Sequence, residues 1–189
     1  MKYNSDIHRR RSIRLKNYDY SREGAYFLTL CTYDRGSHFE QFEPLRRIVE
    51  AQWHSIPERF SGVLLDEYVI MPNHVHGIIF LCGDPGVQGG CAHHKNHKPA
   101  RGAPTLGDIV GSFKSLCVHA WLKFVKSENI NTRGKFWQDN YFEHVIRDEE
   151  ELDRIRQYIA ENPLHWELDR ENPEFDNSQE MKQTESWMV

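Results

Sequence analysis

Apolar residues along the chain fall into two spacings, alternation and steps of three and four, and these divide most of its 189 residues into elements. Ala25 to Tyr33 is rich in aromatic and β-branched residues and is bounded by Gly24 and by Asp34-Arg-Gly36, which predicts a strand. Leu45, Ile48, Val49 and Ile56, with Trp53, recur at helical spacing after Pro44, and the pattern stops at Pro57. Val63 to Leu81 is apolar but broken by Met71-Pro-Asn73, a turn sequence, so it predicts two strands paired as a hairpin. Leu106, Ile109, Val110, Phe113, Cys117, Ala120, Trp121 and Phe124 mark an amphipathic helix with Lys114, Lys123 and Lys126 interspersed. Tyr141 to Arg147 reads as a short strand. Asp148 then caps a last helix, 148–162, with Glu151 completing an acidic capping box, Leu152, Ile155 and Ile159 as its buried stripe, and Pro163 as its stop.

Strand, helix, strand, strand, helix, strand is the order of an α+β, ferredoxin-like βαββαβ antiparallel sheet, with helices on one face and an additional C-terminal helix. The second face is left for a site. At 39% hydrophobic residues the chain supports one core, expected within 1–166. Gly83 to Pro104 holds five glycines and three prolines in 22 residues and reads as a flexible loop. Residues 167–189 carry seven acids against two bases and read as an acidic, disordered tail.

Charge changes this picture only through its distribution. The net value is −4, yet the first 24 residues carry seven bases and three acids, a basic arm suited to a polyanion. No apolar run approaches the ~20 residues that span a bilayer and no signal peptide opens the chain, so no membrane association and a cytoplasmic location are expected. The four cysteines form no CxxC pair and are expected to be reduced.

Two pairs of residues carry candidate chemistry. His74 and His76 alternate on a predicted strand, so both imidazoles leave the same face and can converge on one ion. With 11 histidines, chance alone supplies roughly 0.6 such pairs, and a surface pair is the simpler reading of the spacing by itself. Tyr158 and Asn162 stand one helical turn apart and put a phenol and an amide oxygen on one side of the last helix, where packing and a helix end also account for them. Glu143 and His144 alternate on the fourth strand, so only one of them can face a site and orient a ligand there. Cys91, His93, His94 and His97 form a zinc-like cluster, but they lie in the Gly/Pro loop without a second set of ligands, which favours a fortuitous grouping.

From about Arg10 to Trp166 the chain resembles the HUH-type single-tyrosine transposases, especially their REP-associated tyrosine transposase branch. The stretches that carry the likeness are Arg11-Ser-Ile-Arg-Leu with Tyr18-Asp-Tyr20, Ala25-Tyr-Phe-Leu-Thr-Leu, Tyr68-Val-Ile-Met-Pro-Asn-His-Val-His-Gly, Val110-Gly-Ser-Phe-Lys-Ser, Phe136-Trp-Gln, Tyr141-Phe-Glu-His-Val-Ile-Arg-Asp and Tyr158-Ile-Ala-Glu-Asn-Pro. The resemblance implies a metal-dependent enzyme that nicks single-stranded DNA near a hairpin and joins its tyrosine to the new 5′ end. His74, His76 and Asn162 then take the metal-ligand positions and Tyr158 is the nucleophile. Mixed nitrogen and oxygen ligands suit Mn²⁺, with Mg²⁺ bound more weakly. Arg9, Arg10, Arg11, Arg14, Lys16 and Lys114 are the candidate DNA-binding residues, through phosphate. Tyr18, Tyr20 and Trp137 are candidates to stack on bases, with a core role favoured for Trp137.

Two other functions remain open on the sequence. One is a domesticated protein that binds a DNA hairpin without cutting it. The other is a nuclease in which the two histidines hold an ion that activates water. The short link from the fourth strand to the last helix favours a site built within one chain, hence a monomer, nucleoid-associated when bound to DNA.

Overall fold

Four strands form one sheet in the order β2-β3-β1-β4, with every neighbouring pair antiparallel: β1 Gly24–Cys31, β2 Val63–Ile70, β3 His74–Leu81 and β4 Phe142–Ile146. This is the α+β, ferredoxin-like arrangement that the element order predicts. The computed structural model describes residues 18–82, 104–132, 134–169 and 172. The basic-arm residues Arg9, Arg10, Arg11, Arg14 and Lys16, the Cys91/His93/His94/His97 cluster and most of the acidic tail lie outside the described residues.

The two faces of the sheet are filled by different parts of the sequence. Leu28, Leu30, Val75, Ile79 and Leu81 pack on the α2 (Glu43–His54) side chains Leu45, Val49 and Trp53 and on the α4 (Leu106–Ser127) side chains Ile109, Val110, Phe113, Cys117 and Trp121. Ala25, Phe27 and Ile78 on the opposite face pack on Leu152, Ile155 and Ile159 of α5 (Glu149–Glu161). Period two along β3 therefore sends Val75 to the helix layer and His74, His76 and Ile78 toward α5. Gly77 faces the helix layer, where the ring of Trp53 occupies the space a side chain would need: an added Cβ would lie 2.6 Å from Trp53 Cη2.

The helical segment after β1 departs from expectation in its breaks. It comprises α1 (His38–Gln41), α2 and α3 (Ile56–Arg59), and Pro57 opens the last of these rather than ending the helix, because a first-turn proline gives up no intrahelical hydrogen bond. The N-terminus of α4 carries a full capping box: Thr105 Oγ1 accepts from the Asp108 amide, and the Asp108 carboxylate accepts from the Thr105 amide. In α5 only half of the predicted box forms. Asp148 Oδ1 accepts from the Glu151 amide at 2.8 Å, but the Glu151 carboxylate accepts from the Arg147 amide instead.

The last helix stops at Glu161, as expected ahead of Pro163, and a separate 3-10 turn, Asn162–Leu168, follows it. One expectation needs correction. Cys31 and Cys117 are reduced, as expected, whereas Cys82 is disulfide-bonded. No helix among the described residues is long and apolar enough to cross a membrane.

Candidate metal and tyrosine site

The register of the sheet builds the site. His76 lies opposite Thr29 of β1 and Val69 of β2, and His74 lies opposite Cys31. Both imidazoles are buried, at 0% and 3% exposure, and their Nε2 atoms stand 3.0 Å apart. The other ring nitrogens are held from behind. Asn73 Nδ2 donates to the Arg35 carbonyl at 2.8 Å, which turns Asn73 Oδ1 toward His74 Nδ1, also at 2.8 Å. His74 Nδ1 therefore carries the proton and donates, leaving the Nε2 lone pair pointing into the site. Thr29 Oγ1 lies 3.0 Å from His76 Nδ1, and Phe27 stacks on the His76 ring at 5.2 Å.

Burial also fixes the charge. Loss of water, and secondarily the Arg35 guanidinium, push the His74 pKa down to about 3. Burial, then the neighbouring His74, holds His76 well below its ordinary range. Both are neutral imidazoles near pH 7, the form that ligates metal.

Helix α5 brings Tyr158 to the same place. Its N-terminus is tied to β4 by His144 Nε2 at 2.8 Å from Glu151 Oε1, and its middle is tied to β2 by a two-pronged ion pair from Arg156 to Asp66 at 3.0 and 2.6 Å. His144, opposite Phe27, is thus the member of the Glu143/His144 pair that faces α5, and it braces the helix rather than a ligand. The Tyr158 hydroxyl lies 3.3 Å from His76 Nε2, and its ring meets Phe27 edge-on. One turn later Asn162 is buried, and its Oδ1 has no hydrogen-bond partner among the described residues.

The sequence analysis missed Asp169. The 3-10 turn after Asn162 brings Trp166 against His74, with ring centroids 6.0 Å apart, and Asp169 Oδ2 to 3.7 Å from His74 Nε2. The Asp169 amide donates to the Trp166 carbonyl and closes the turn. Ligand atoms of His74, His76 and Asp169 all lie within 4.8 Å of one another, and among the described residues they form a group able to hold a metal ion. Nothing in the sequence distinguishes Asp169 from the other tail acids except its distance from the end of the helix.

These residues fit a divalent cation. Two nitrogens at about 2.1 Å from one ion and at right angles to each other are about 3.0 Å apart, the spacing the two Nε2 atoms have. A carboxylate and an unpartnered buried amide oxygen add hard oxygen donors suited to Mn²⁺ or Mg²⁺.

The remaining candidates lie elsewhere. Lys114 is on α4, behind the sheet, where its ammonium donates to the Gln138, Asp139 and Asn140 carbonyls, and burial lowers its pKa to about 8. It ties α4 to the segment before β4. Trp137 is buried against Phe39, Phe113 and Phe136, the core role favoured for it. Tyr18 and Tyr20 pack on each other and on Tyr26.

In comparison with known proteins, the chain is 41% identical over 181 residues to an uncharacterized protein of Haemophilus influenzae, covering 89% of this chain and 96% of that one. No family model matches it. A structure of a REP-associated tyrosine transposase bound to a REP hairpin aligns at 17% identity and a TM-score of 0.47, covering 82% of this chain and 74% of that one. A candidate transposase of Deinococcus radiodurans aligns at 18% identity and a TM-score of 0.40, covering 79% and 96%. Overlaps this loose do not bear on the assignment.

Proposed function

The chain belongs to one family with the Haemophilus influenzae protein, and we propose that it is a metal-dependent single-stranded DNA nickase and strand transferase of the HUH tyrosine type. The observation that carries this reading is the Tyr158 hydroxyl 3.3 Å from His76 Nε2, beside a second neutral imidazole and a buried carboxylate. The sequence resemblance supports it from Met71-Pro-Asn-His-Val-His76 and from Tyr158-Ile-Ala-Glu-Asn-Pro163.

His74, His76 and Asp169, with Asn162 Oδ1, would hold the cation, Mn²⁺ or Mg²⁺. When bound, that ion polarises the scissile phosphate and counters the charge on its oxygens. Asn73 and Thr29 keep both Nε2 atoms aimed inward without any rearrangement. A free phenol has a pKa of ~10 and attacks phosphorus poorly at neutral pH, so holding Tyr158 on a braced helix beside the ligand nitrogens supplies orientation. The Tyr158 oxygen forms a bond to phosphorus as the bond from phosphorus to the 3′ oxygen breaks, and the phenolic proton ends on that 3′ oxygen. One phosphoester replaces another, so attack by the same or another 3′-OH reverses the step without ATP. The basic arm, Arg9, Arg10, Arg11, Arg14 and Lys16, would contact DNA phosphates near a hairpin, and a site supplied wholly by one chain suits a monomer.

The test incubates the protein and Tyr158→Phe with end-labelled single-stranded DNA bearing a hairpin from the flanks of its own gene, in Mn²⁺, Mg²⁺ or EDTA, and separates products on denaturing gels. A metal-dependent protein–DNA adduct lost in Tyr158→Phe is expected. Binding without nicking would replace this reading with a hairpin-binding protein. Nicking that survives in Tyr158→Phe would replace it with a water-activating nuclease.

A further inference from the structure

Phe142 is an aromatic ring at the margin of the site that the reaction as described leaves without a task. It opens β4, an edge strand, and pairs with Thr29, the residue whose hydroxyl meets His76. Cross-strand partners share a face, so Phe142 stands on the same side of the sheet as the histidine pair. It remains 36% exposed although the core on that face is closed by Phe27, Ile78, Ile146, Leu152, Ile155 and Ile159.

The ring is rigidly backed. Phe27, fully buried, meets Phe142 edge-on with centroids 6.4 Å apart at 71°. The same Phe27 meets Tyr158 at 6.1 Å and 82° and stacks on His76. Phe142 is thus one ring removed from both the proposed nucleophile and a proposed ligand. Among the other exposed large apolar side chains of the described residues, Leu64, Leu122, Ile130 and Leu164 are aliphatic, and the ring of Tyr33 lies under the Lys135 ammonium, 5.6 Å from its centroid.

We propose that Phe142 stacks an unpaired nucleobase next to the phosphate attacked by Tyr158, an inference that rests on reading the site as one for single-stranded DNA. Every base has a π-face, so such a contact fixes the strand without demanding a sequence. In a duplex those faces are already stacked on neighbouring bases, so the ring selects for a strand that is locally open. Because Phe27 holds the ring in place, little side-chain freedom is lost on binding. Phe142 positions the strand and takes no part in bond making.

The test uses the full chain and Phe142→Leu, Phe142→Ala and Phe142→Trp, each checked by circular dichroism for an unchanged melt. The probe is a 20-residue oligothymidylate carrying one 2-aminopurine, titrated in EDTA, with anisotropy reading affinity and 2-aminopurine quenching reading stacking. Phe142→Leu and Phe142→Ala are expected to bind about tenfold more weakly and to lose most of the quenching, while Phe142→Trp retains both. A duplex of the same length is expected to bind all four proteins alike. Wild-type affinity and quenching in Phe142→Leu would overturn the stacking role while leaving the tyrosine reading intact. Failure of the unmutated chain to bind the oligonucleotide would overturn the single-strand reading and this inference with it.

Discussion

Replacing Asn73 by alanine strips the support from one histidine without touching the ligands themselves. In the native chain Asn73 is buried, donates to the Arg35 carbonyl and accepts from His74 Nδ1, each at 2.8 Å. The exposed Arg35 turn can exchange its lost partner for water, so that half of the loss is small. His74, at 0% exposure, has no such access, and its Nδ1–H is left in the interior without an acceptor. An orphaned buried donor costs about 1–3 kcal/mol. For a chain of this size that corresponds to a melting temperature lower by about 2–12 °C. Freed from Asn73, the imidazole can also adopt the other tautomer and withdraw its Nε2 lone pair, and loss of such a ligand-orienting partner typically weakens metal binding about 10–100-fold. The assay pairs thermal unfolding in EDTA with a Mn²⁺ titration followed by electron paramagnetic resonance of the free ion. Asn73→Ala with the native melting temperature and the native Mn²⁺ affinity would refute the argument that Asn73 sets the His74 tautomer.

Gly77→Ala drives a methyl into Trp53, and overpacking of this kind costs about 1–3 kcal/mol or more, read as a lower melting temperature; a neutral substitution would show that the Trp53 ring is free to move. Asp169→Asn keeps the turn's shape but removes the charge, so Mn²⁺ affinity should fall while the melting temperature in EDTA changes little; unchanged affinity would remove Asp169 from the ligand set. Acid should destabilise the metal-free protein. His74 has its folded pKa at about 3, below the unfolded value of about 6.5, so as pH falls through that window the unfolded chain takes up a proton that the folded chain refuses. Stability is then lost by up to about 1.4 kcal/mol per pH unit for this group, and unfolding in EDTA followed from pH 7 to 4 should show the loss reduced in His74→Gln. Asp66, held low chiefly by its hydrogen bonds from Arg156, adds a further loss only below about pH 4, which Asp66→Asn should remove.

The sheet and the helix layer on one of its faces were legible because alternation and helical spacing are local. His74 and His76 share a face by strand period alone, and the Leu152/Ile155/Ile159 stripe identifies the side of α5 that meets them. What the sequence could not show was set by tertiary contacts. Lys114 reads as a free cation on an amphipathic helix, yet the backbone at Gln138 to Asn140, far along the chain, supplies its acceptors. Asp169 reads as one acid among seven in a polar tail, because a 3-10 turn that bends back onto His74 has no hydrophobic period to announce it. Pro163 marks the end of α5 as read, but a proline that stops one helix also suits the first turn of the next, so the 3-10 turn beyond it went unannounced.

The most direct test of the central claim is to digest the DNA from a trapped adduct and map the remaining nucleotide by peptide mass spectrometry. The account predicts one modified peptide, carrying its phosphonucleotide on Tyr158. A nucleotide on any other residue, or nicked DNA with no modified peptide at all, would contradict it.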